Sequence, residues 1–457
     1  MTSDNARLTV AEKIGYGVGD LASNLFWMTF IFYLLYFYTD VFGISAVAAG
    51  TMLLITRTAD TFIDPIIGMI ADRTKTRWGR FRPYLFWMAV PFGIVGVLTF
   101  TTPGFDATGK LIWAYVTYSL MMLVYSGINI PYSALMGVVT SDSLERTKLS
   151  TYRFVCAFLG GVIVQWATVP LKRVLGGGND QLGYQLTAAI YAVMAVALFL
   201  YTFSATKERV QPVKEQKTPL KRDLWDLTKN RPWMVLFVAG LCSLTFNCVR
   251  NSSLMYYFKY FVGDEGLAPN FMMAGTLANI AGVLATGWLT KRFGKKNLYL
   301  LCMVIAGIIT ALYYFAGPAN LPYLYVLNIV GGFLSGPPAP LIWAMYADAA
   351  DYSEWRTGRR ATGLVFSAAS FGQKMGWTLG GTIAAWLLAY YGFQANLQQA
   401  PDTLHGIVLL MSFIPAALTV LAGLSMLFYT IDEGMLKRIQ QDLADRRREQ
   451  QDGAVPV

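Results

Sequence analysis

The chain is 457 residues long, 55% hydrophobic and only 14% charged, with a mean hydropathy of +0.43. That balance excludes an ordinary soluble globular protein and predicts a polytopic integral membrane protein. The formal net charge of +10 raises nucleic acid as a partner, but the basic residues are scattered through short loops between apolar runs, so no nucleic-acid partner is expected.

Twelve apolar segments are predicted, at roughly 14–40, 45–72, 84–102, 111–139, 152–175, 182–204, 233–260, 268–291, 298–316, 322–350, 362–390 and 404–430, each long enough for a tilted helix that satisfies its own backbone. The polar start MTSDNARLTVAEK lacks the basic, apolar and small-residue order of a signal peptide, so the first segment is expected to stay as a membrane helix. Loops on the side of both termini hold most of the 37 Lys and Arg, whereas the opposite loops hold Lys110, Lys172, Arg173 and Lys259. The positive-inside rule then puts both termini in the cytoplasm. On this reading the basic runs are topology signals and contacts to membrane lipid headgroups.

Along the chain, polar residues interrupt particular segments. The first carries Asp20 and Asn24, four residues apart and therefore on one helix face. The second carries Asp60 and Asp64 with the same spacing, where an ionised carboxylate costs about 2.5–3.5 kcal/mol at mid-helix. Two such acids on one face can converge on one cation or one shared proton. The fourth segment repeats the spacing with Tyr125 and Asn129, the seventh has Arg250 between Asn247 and Asn251, and the tenth has Trp343. Lines of polar groups in apolar helices mark a transport route.

Between the sixth and seventh segments, ATKERVQPVKEQKTPLKRDLWDLTKNRP is the longest polar break. It divides the chain into a half at 1–204, a cytoplasmic linker at 205–232, a second half at 233–430 and a cytoplasmic tail at 431–457. Gly68-Met-Ile-Ala-Asp-Arg with Arg77-Trp-Gly-Arg has a shorter echo in Gly287-Trp-Leu-Thr-Lys-Arg-Phe-Gly-Lys, and both join the second and third segments of their half. Cys156, Cys242, Cys248 and Cys302 fall in apolar segments without metal-ligand spacing and read as small core residues. The single histidine, His405, stands near an end of the last segment. No nucleophile motif or phosphate loop is present, so the protein is not expected to be an enzyme.

The loop GMIADRTKTRWGRFRPY (68–84) resembles the signature that follows the second helix of major facilitator carriers. Ahead of it RTADTFIDPIIG, with YGVGDLASN (16–24), YFYTDVFG (36–43), YSGINIPYSAL (125–135), TYRF (151–154), WAMYADAADYSEWRTGRRATG (343–363) and Lys374, is similar to the glycoside-pentoside-hexuronide:cation symporters, the family of the melibiose carrier. The resemblance spans nearly the whole chain. It implies an all-α membrane protein of the major facilitator fold, with twelve transmembrane helices in two six-helix halves that rock about a midplane site. It also implies cation-coupled symport of a pentoside, hexoside or hexuronide by a monomer in a bacterial inner membrane, with no cofactor beyond a coupling H+ or Na+.

Carried over residue by residue, the resemblance makes Asp60 and Asp64 the cation carboxylates, and the metal ligands if the ion is sodium; Asp64 also touches sugar. Asn24, Tyr125 and Asn129 match sugar-pocket positions, with Asp20 an added acid nearby. Arg153 resembles the fifth-helix arginine, Lys374 the eleventh-helix lysine, and Trp343 a ring-stacking partner. Arg250 leaves room for a uronate, since guanidinium pairs well with carboxylate. Arg77, Asp348, Asp351 and Arg359 form the expected cytoplasmic salt-bridge gate. The melibiose carrier has acids where this chain has Asn24 and Asn129, and a tryptophan where it has Ser133, so a different sugar is expected. Ile63 replaces an Asn found in melibiose-type carriers and removes an oxygen from a hard-cation site, which tilts the reading toward H+. Desolvated acids beside each other also suit reversible protonation.

Each residue has a second reading. Asp60 and Asp64 can be neutralised structurally by Arg57, Lys374 or Arg153, Asp20 can be interfacial, and Arg250 can pair with an acid across the bundle. The asparagines can be interhelical glue, Trp343 an interface anchor, and the residues at 348–360 a solvated loop. Two further functions fit the same segments: a lysolipid symporter and a non-transporting sugar sensor.

Overall fold

The computed structural model describes residues 8–140, 143–209, 229–357 and 362–452. These are helical apart from connecting loops and one isolated bridge between Thr76 and Gly79. We number the helices α1 Val10–Thr29, α2 Ala46–Arg73, α3 Arg82–Thr99, α4 Ala107–Val139, α5 Ser143–Gly176, α6 Asp180–Ala205, α7 Arg231–Tyr256, α8 Ala268–Phe293, α9 Lys295–Ala311, α10 Leu321–Ser335, α11 Pro338–Thr357, α12 Thr362–Tyr390, α13 Pro401–Met411, α14 Phe413–Ser425 and α15 Glu433–Asp452.

These helices match the twelve apolar segments once continuations are joined. α1 runs on through π-helical turns Phe30–Leu34 and Phe37–Phe42, and α7 through Tyr257–Val262. The tenth rod is two helices, α10 and α11, because Pro337 and Pro338 offer no amide to continue the ladder. The twelfth breaks at Ser412, where Pro415 cannot bond the Met411 carbonyl. α5 begins at Ser143, a turn or more ahead of the apolar run, since the polar stretch there is helical before it meets the predicted boundary.

Nine rods are apolar enough to cross a membrane by length and composition among the described residues. The ones that fall short are α1, α2 and α12, which hold Asp20, the Asp60/Asp64 pair and Lys374.

The chain splits into two compact units. The first is Met1–Glu215, Asn251–Met273 and Gly381–Ile407; the second is Gln216–Arg250, Ala274–Gly380 and Val408–Val457. This division does not follow the halves at 1–204 and 233–430, because ends of α7, α8, α12 and α13 pack with α1–α6. Residues 210–228 of the proposed linker lie outside the described residues.

In the first unit α1 packs along α5 and α6, α3 against α4 and α6, and α2 on α4. Small residues set the α1–α5 spacing: a Cβ on Gly17 would meet the Tyr152 carbonyl at 2.9 Å, and one on Gly160 the Leu21 carbonyl at 3.0 Å. That close approach brings the Asp20 turn of α1 against Arg153 of α5. In the second unit α9 packs on α14, α10 and α11, and α15 on α11, around Trp233, Leu236, Tyr299, Met345 and Tyr346.

Candidate functional site

Asp20 lies in the interior of α1 and is buried rather than interfacial. Its Oδ2 is 3.1 Å from Arg153 Nε, and the Arg153 guanidinium sits 5.1 Å over the Tyr132 ring. Tyr132 stacks on Tyr16 at 4.7 Å and donates its hydroxyl to the Tyr16 carbonyl at 2.6 Å, which fixes the shelf on which Arg153 rests. Arg153 is therefore committed to Asp20 and not to the Asp60/Asp64 pair. Asn24 turns back on its own helix, its amide donating to the Asp20 carbonyl at 2.8 Å.

On α2, Asp60 is 8% exposed and its Oδ1 accepts from Ser126 Oγ of α4 at 2.8 Å. Asp64 follows one turn later and is half-buried. Between them, Thr61 donates its hydroxyl to the Arg57 carbonyl at 2.9 Å. Pro65 removes the amide that an unbroken helix would offer the Thr61 carbonyl, so that oxygen stands near the acids as an additional acceptor. Arg57 is buried, bonds the Tyr118 hydroxyl through Nε at 2.8 Å and lies 5.6 Å over the Trp27 ring.

Trp27 was not among the residues singled out in the sequence. It follows Asn24 by three positions, on the face that carries Asp20 and Asn24, and it stacks on Tyr125 at 5.2 Å and 27°. The spacing was a visible signal, but a tryptophan in an apolar run reads first as packing. On α4, Asn129 sits one turn after Tyr125, and its Nδ2 is buried without a hydrogen-bond partner among the described residues. The first unit thus gathers Asp20, Asn24, Asp60, Asp64, Tyr125, Asn129 and Arg153 on four helices.

The other predicted residues lie in the second unit. Arg250 donates through Nη2 to the Tyr313 hydroxyl at 2.9 Å and to Asn328 Oδ1 at 3.0 Å, both neutral groups. Trp343 packs edge-on against Tyr346 and, with Asn247 and Gln373, lines a small cavity of about 110 Å³. Lys374 is half-buried on α12.

Of the expected gate, Arg359 lies outside the described residues. Asp348 is paired, but with Lys295 at 2.6 Å, a partner the sequence reading missed. Asp351 is half-buried one turn along. Arg77 is exposed and stacks over Trp78 at 4.7 Å. The carboxylate that engages its loop is Glu208, which accepts from the backbone amides of Arg80, Phe81 and Arg82 at 2.9, 2.7 and 2.9 Å.

The profile of the family described as MFS/sugar transport protein matches residues 15–433. The chain is 37% identical over 451 residues to the putative glycoside/cation symporter YagG of Escherichia coli (strain K12), covering 98% of each. It is 38% identical over 432 residues to the isoprimeverose transporter of Lactiplantibacillus pentosus, covering 93% of this chain and 89% of that one. Among solved structures, a bacterial homologue of the human lysosomal transporter Spinster, inward-facing and unoccupied, superposes with a TM-score of 0.66 at 12% identity, over 93% of this chain and 98% of that one, a likeness of fold alone.

Proposed function

Because the chain belongs to the MFS/sugar transport protein family, we infer that it is a membrane carrier, not an enzyme, that couples the movement of a cation to that of a sugar or glycoside by alternating access. The observation that carries the reading is the buried Asp60 held by Ser126, with Asp64 one turn away and the Asp20–Arg153 pair on the neighbouring helices. A cation arriving at Asp60 and Asp64 removes the cost of two acids in an apolar helix, and the relieved site then holds sugar more tightly. Coupling of this kind is reciprocal: sugar must tighten cation binding by the same factor.

The coupling ion in this reading is a proton. Ile63 contributes hydrocarbon where a sodium site needs oxygen, and two carboxylates one turn apart can share a single proton. The cargo is a pentoside, hexoside or hexuronide. Asn24, Tyr125 and Asn129 offer the amide and hydroxyl groups that sugar hydroxyls exchange for water. Their polarity disfavours a lysolipid cargo. By the positive-inside rule the termini are cytoplasmic, and the 35% identity over 443 residues to the inner membrane symporter YicJ of Escherichia coli (strain K12) supports a bacterial inner membrane, where the chain acts as a monomer among lipids.

The test is uptake by reconstituted vesicles. Labelled pentosides, galactosides and uronides are offered with an imposed proton or sodium gradient. One glycoside class should accumulate uphill under the proton gradient, and Asp64→Asn should abolish that accumulation. Undiminished accumulation in the variant rejects the role given to Asp64.

A further inference from the structure

A cavity of about 680 Å³ opens in the second unit where α8 gives way to α9 and the last rod gives way to α15. Lys291, Arg292, Lys295, Lys296 and Lys437 line it, against Asp348, Asp432 and Glu433. Two of the acids are already engaged, Asp348 pairing with Lys295 and Asp432 Oδ1 accepting the Met435 amide at 2.7 Å, and the third, Glu433, stands in the first turn of α15, so five basic residues face three acids. Lys291, Arg292 and Lys437 have no ion-pair partner among the described residues. The lining therefore keeps a surplus of positive charge on groups free to meet a ligand.

The first half shows what chemistry such a place accepts. Its corresponding loop ends in Gly79, at φ +111°, and the three amides that open α3 are filled by the Glu208 carboxylate. In the second half the loop ends in Gly294, at φ +73°, and α9 starts with no side-chain cap. Glu433 follows the last rod much as Glu208 follows α6, and a Cβ on Gly294 would come 2.9 Å from its Oε1. Yet Glu433 makes no hydrogen bond to the start of α9 among the described residues. The Tyr429 hydroxyl in the cavity wall is also buried with no partner there. Where one half fills the helix start with its own carboxylate, the other leaves a basic chamber.

We propose that this cavity binds a phosphate ester, the phosphate meeting Lys291, Arg292, Lys437 and the first amides of α9. A phosphate ester fits the surplus charge, and the Phe293, Ile431 and Leu436 side chains in the lining suit the organic group attached to it. The same chemistry is offered by an anionic lipid headgroup and by a soluble phosphorylated metabolite. The cavity stands where three membrane rods end, within reach of either.

Thermal melting of the full-length protein separates the sources. One arm titrates glycerol 3-phosphate into protein in phosphatidylcholine nanodiscs; the other replaces phosphatidylcholine by phosphatidylglycerol without added phosphate ester. A rise in melting temperature in either arm, with half-saturation weakened about tenfold in K291A/R292A/K437A, supports the site and names the source. Arg292→Gln, a milder change, should weaken it in the same direction if the triple variant does not fold. Protection in neither arm, or protection that survives both variants, overturns the proposal. Glycoside counterflow in phosphatidylcholine vesicles should be unchanged in these variants, so failure here is distinguishable from failure of the transport reading.

Discussion

Lys259 donates to Asp40 Oδ1 at 2.8 Å, and the Asp40 side chain has no exposed surface at all. The two residues are 219 positions apart, yet both belong to the first unit. Around Asp40 the contacts close into a ring. The Tyr260 hydroxyl donates to Oδ1, Thr39 Oγ1 donates to Oδ2 at 2.7 Å, and Asn396 donates its amide to the Asp40 carbonyl at 2.6 Å. Lys259 reaches Asn396 Oδ1 at 2.7 Å as well. Asn396 is the non-glycine residue with positive φ among those described, at +59°, so the ring holds a loop in a conformation that side chains seldom adopt.

The two partners should respond unequally to substitution. Lys259→Met leaves a fully buried carboxylate without its cation, a change that costs toward the lower end of about 3–5 kcal/mol given the remaining donors. Asp40→Asn leaves a partly exposed ammonium and should cost less. The double variant should recover part of the loss. Thermal melting of the four proteins measures this. A K259M melting point equal to that of D40N would contradict the assignment of Asp40 as the buried charge of the pair.

At the start of the chain Glu145 ties α1 to α5. Lys13 and Lys148 bond its carboxylate at 2.7 and 2.8 Å and hold it down at about 2, below the ordinary 4.5. A depressed carboxylate contributes stability that is fully present above its unfolded value and lost as pH falls through the folded one. The melting temperature should therefore decline from about pH 4.5 toward about pH 2, and Glu145→Gln should flatten that part of the slope. A slope unchanged by the substitution would assign the acid sensitivity to other carboxylates.

The twelve segments were legible because a membrane helix must satisfy its backbone internally, so long apolar runs report it directly. Asp20, Asp60 and Asp64 were legible because a charge in such a run is conspicuous. Their partners were not. The rule of four reports only neighbours on one helix, whereas Ser126 meets Asp60 and Lys295 meets Asp348 through packing between helices. Glu208 was hidden for a different reason: it sits in a polar stretch whose charges read as topology signals. The break in the tenth rod was written in Gly336, Pro337 and Pro338, but a hydropathy window averages over it.

Gly79 and Glu208 give a prediction that separates backbone strain from electrostatics. With φ at +111° and the Glu208 carboxylate filling the space where a Cβ would stand, Gly79→Ala should destabilise by about 1–3 kcal/mol. Glu208→Gln keeps the shape and removes the charge that three amides share, so it should also destabilise. Because both act on one turn, the double variant should lose less than the sum of the single losses. Strict additivity in denaturation measurements would show that the turn and the carboxylate are independent.

Trp27 touches a neighbour of each of the two groups that the proposed coupling must join. One neighbour is Arg57, a turn before Asp60 on α2, at 5.6 Å; the other is Tyr125 of α4, stacked at 5.2 Å. A change in charge at the acids alters the field on Arg57, and the Trp27 ring stands between Arg57 and Tyr125, the residue proposed above to meet sugar. Trp27 is therefore a positioning residue, and its loss should harm coupling more than passage. In Trp27→Ala, counterflow, which needs no cation gradient, should persist at raised sugar concentration, whereas uphill accumulation should fall by about tenfold, the loss of roughly 1.4 kcal/mol of coupling free energy. Trp27→Phe keeps a flat ring and should restore most of the accumulation. If both activities fall in parallel in Trp27→Ala and neither is recovered by the phenylalanine, the ring serves packing of α1 alone.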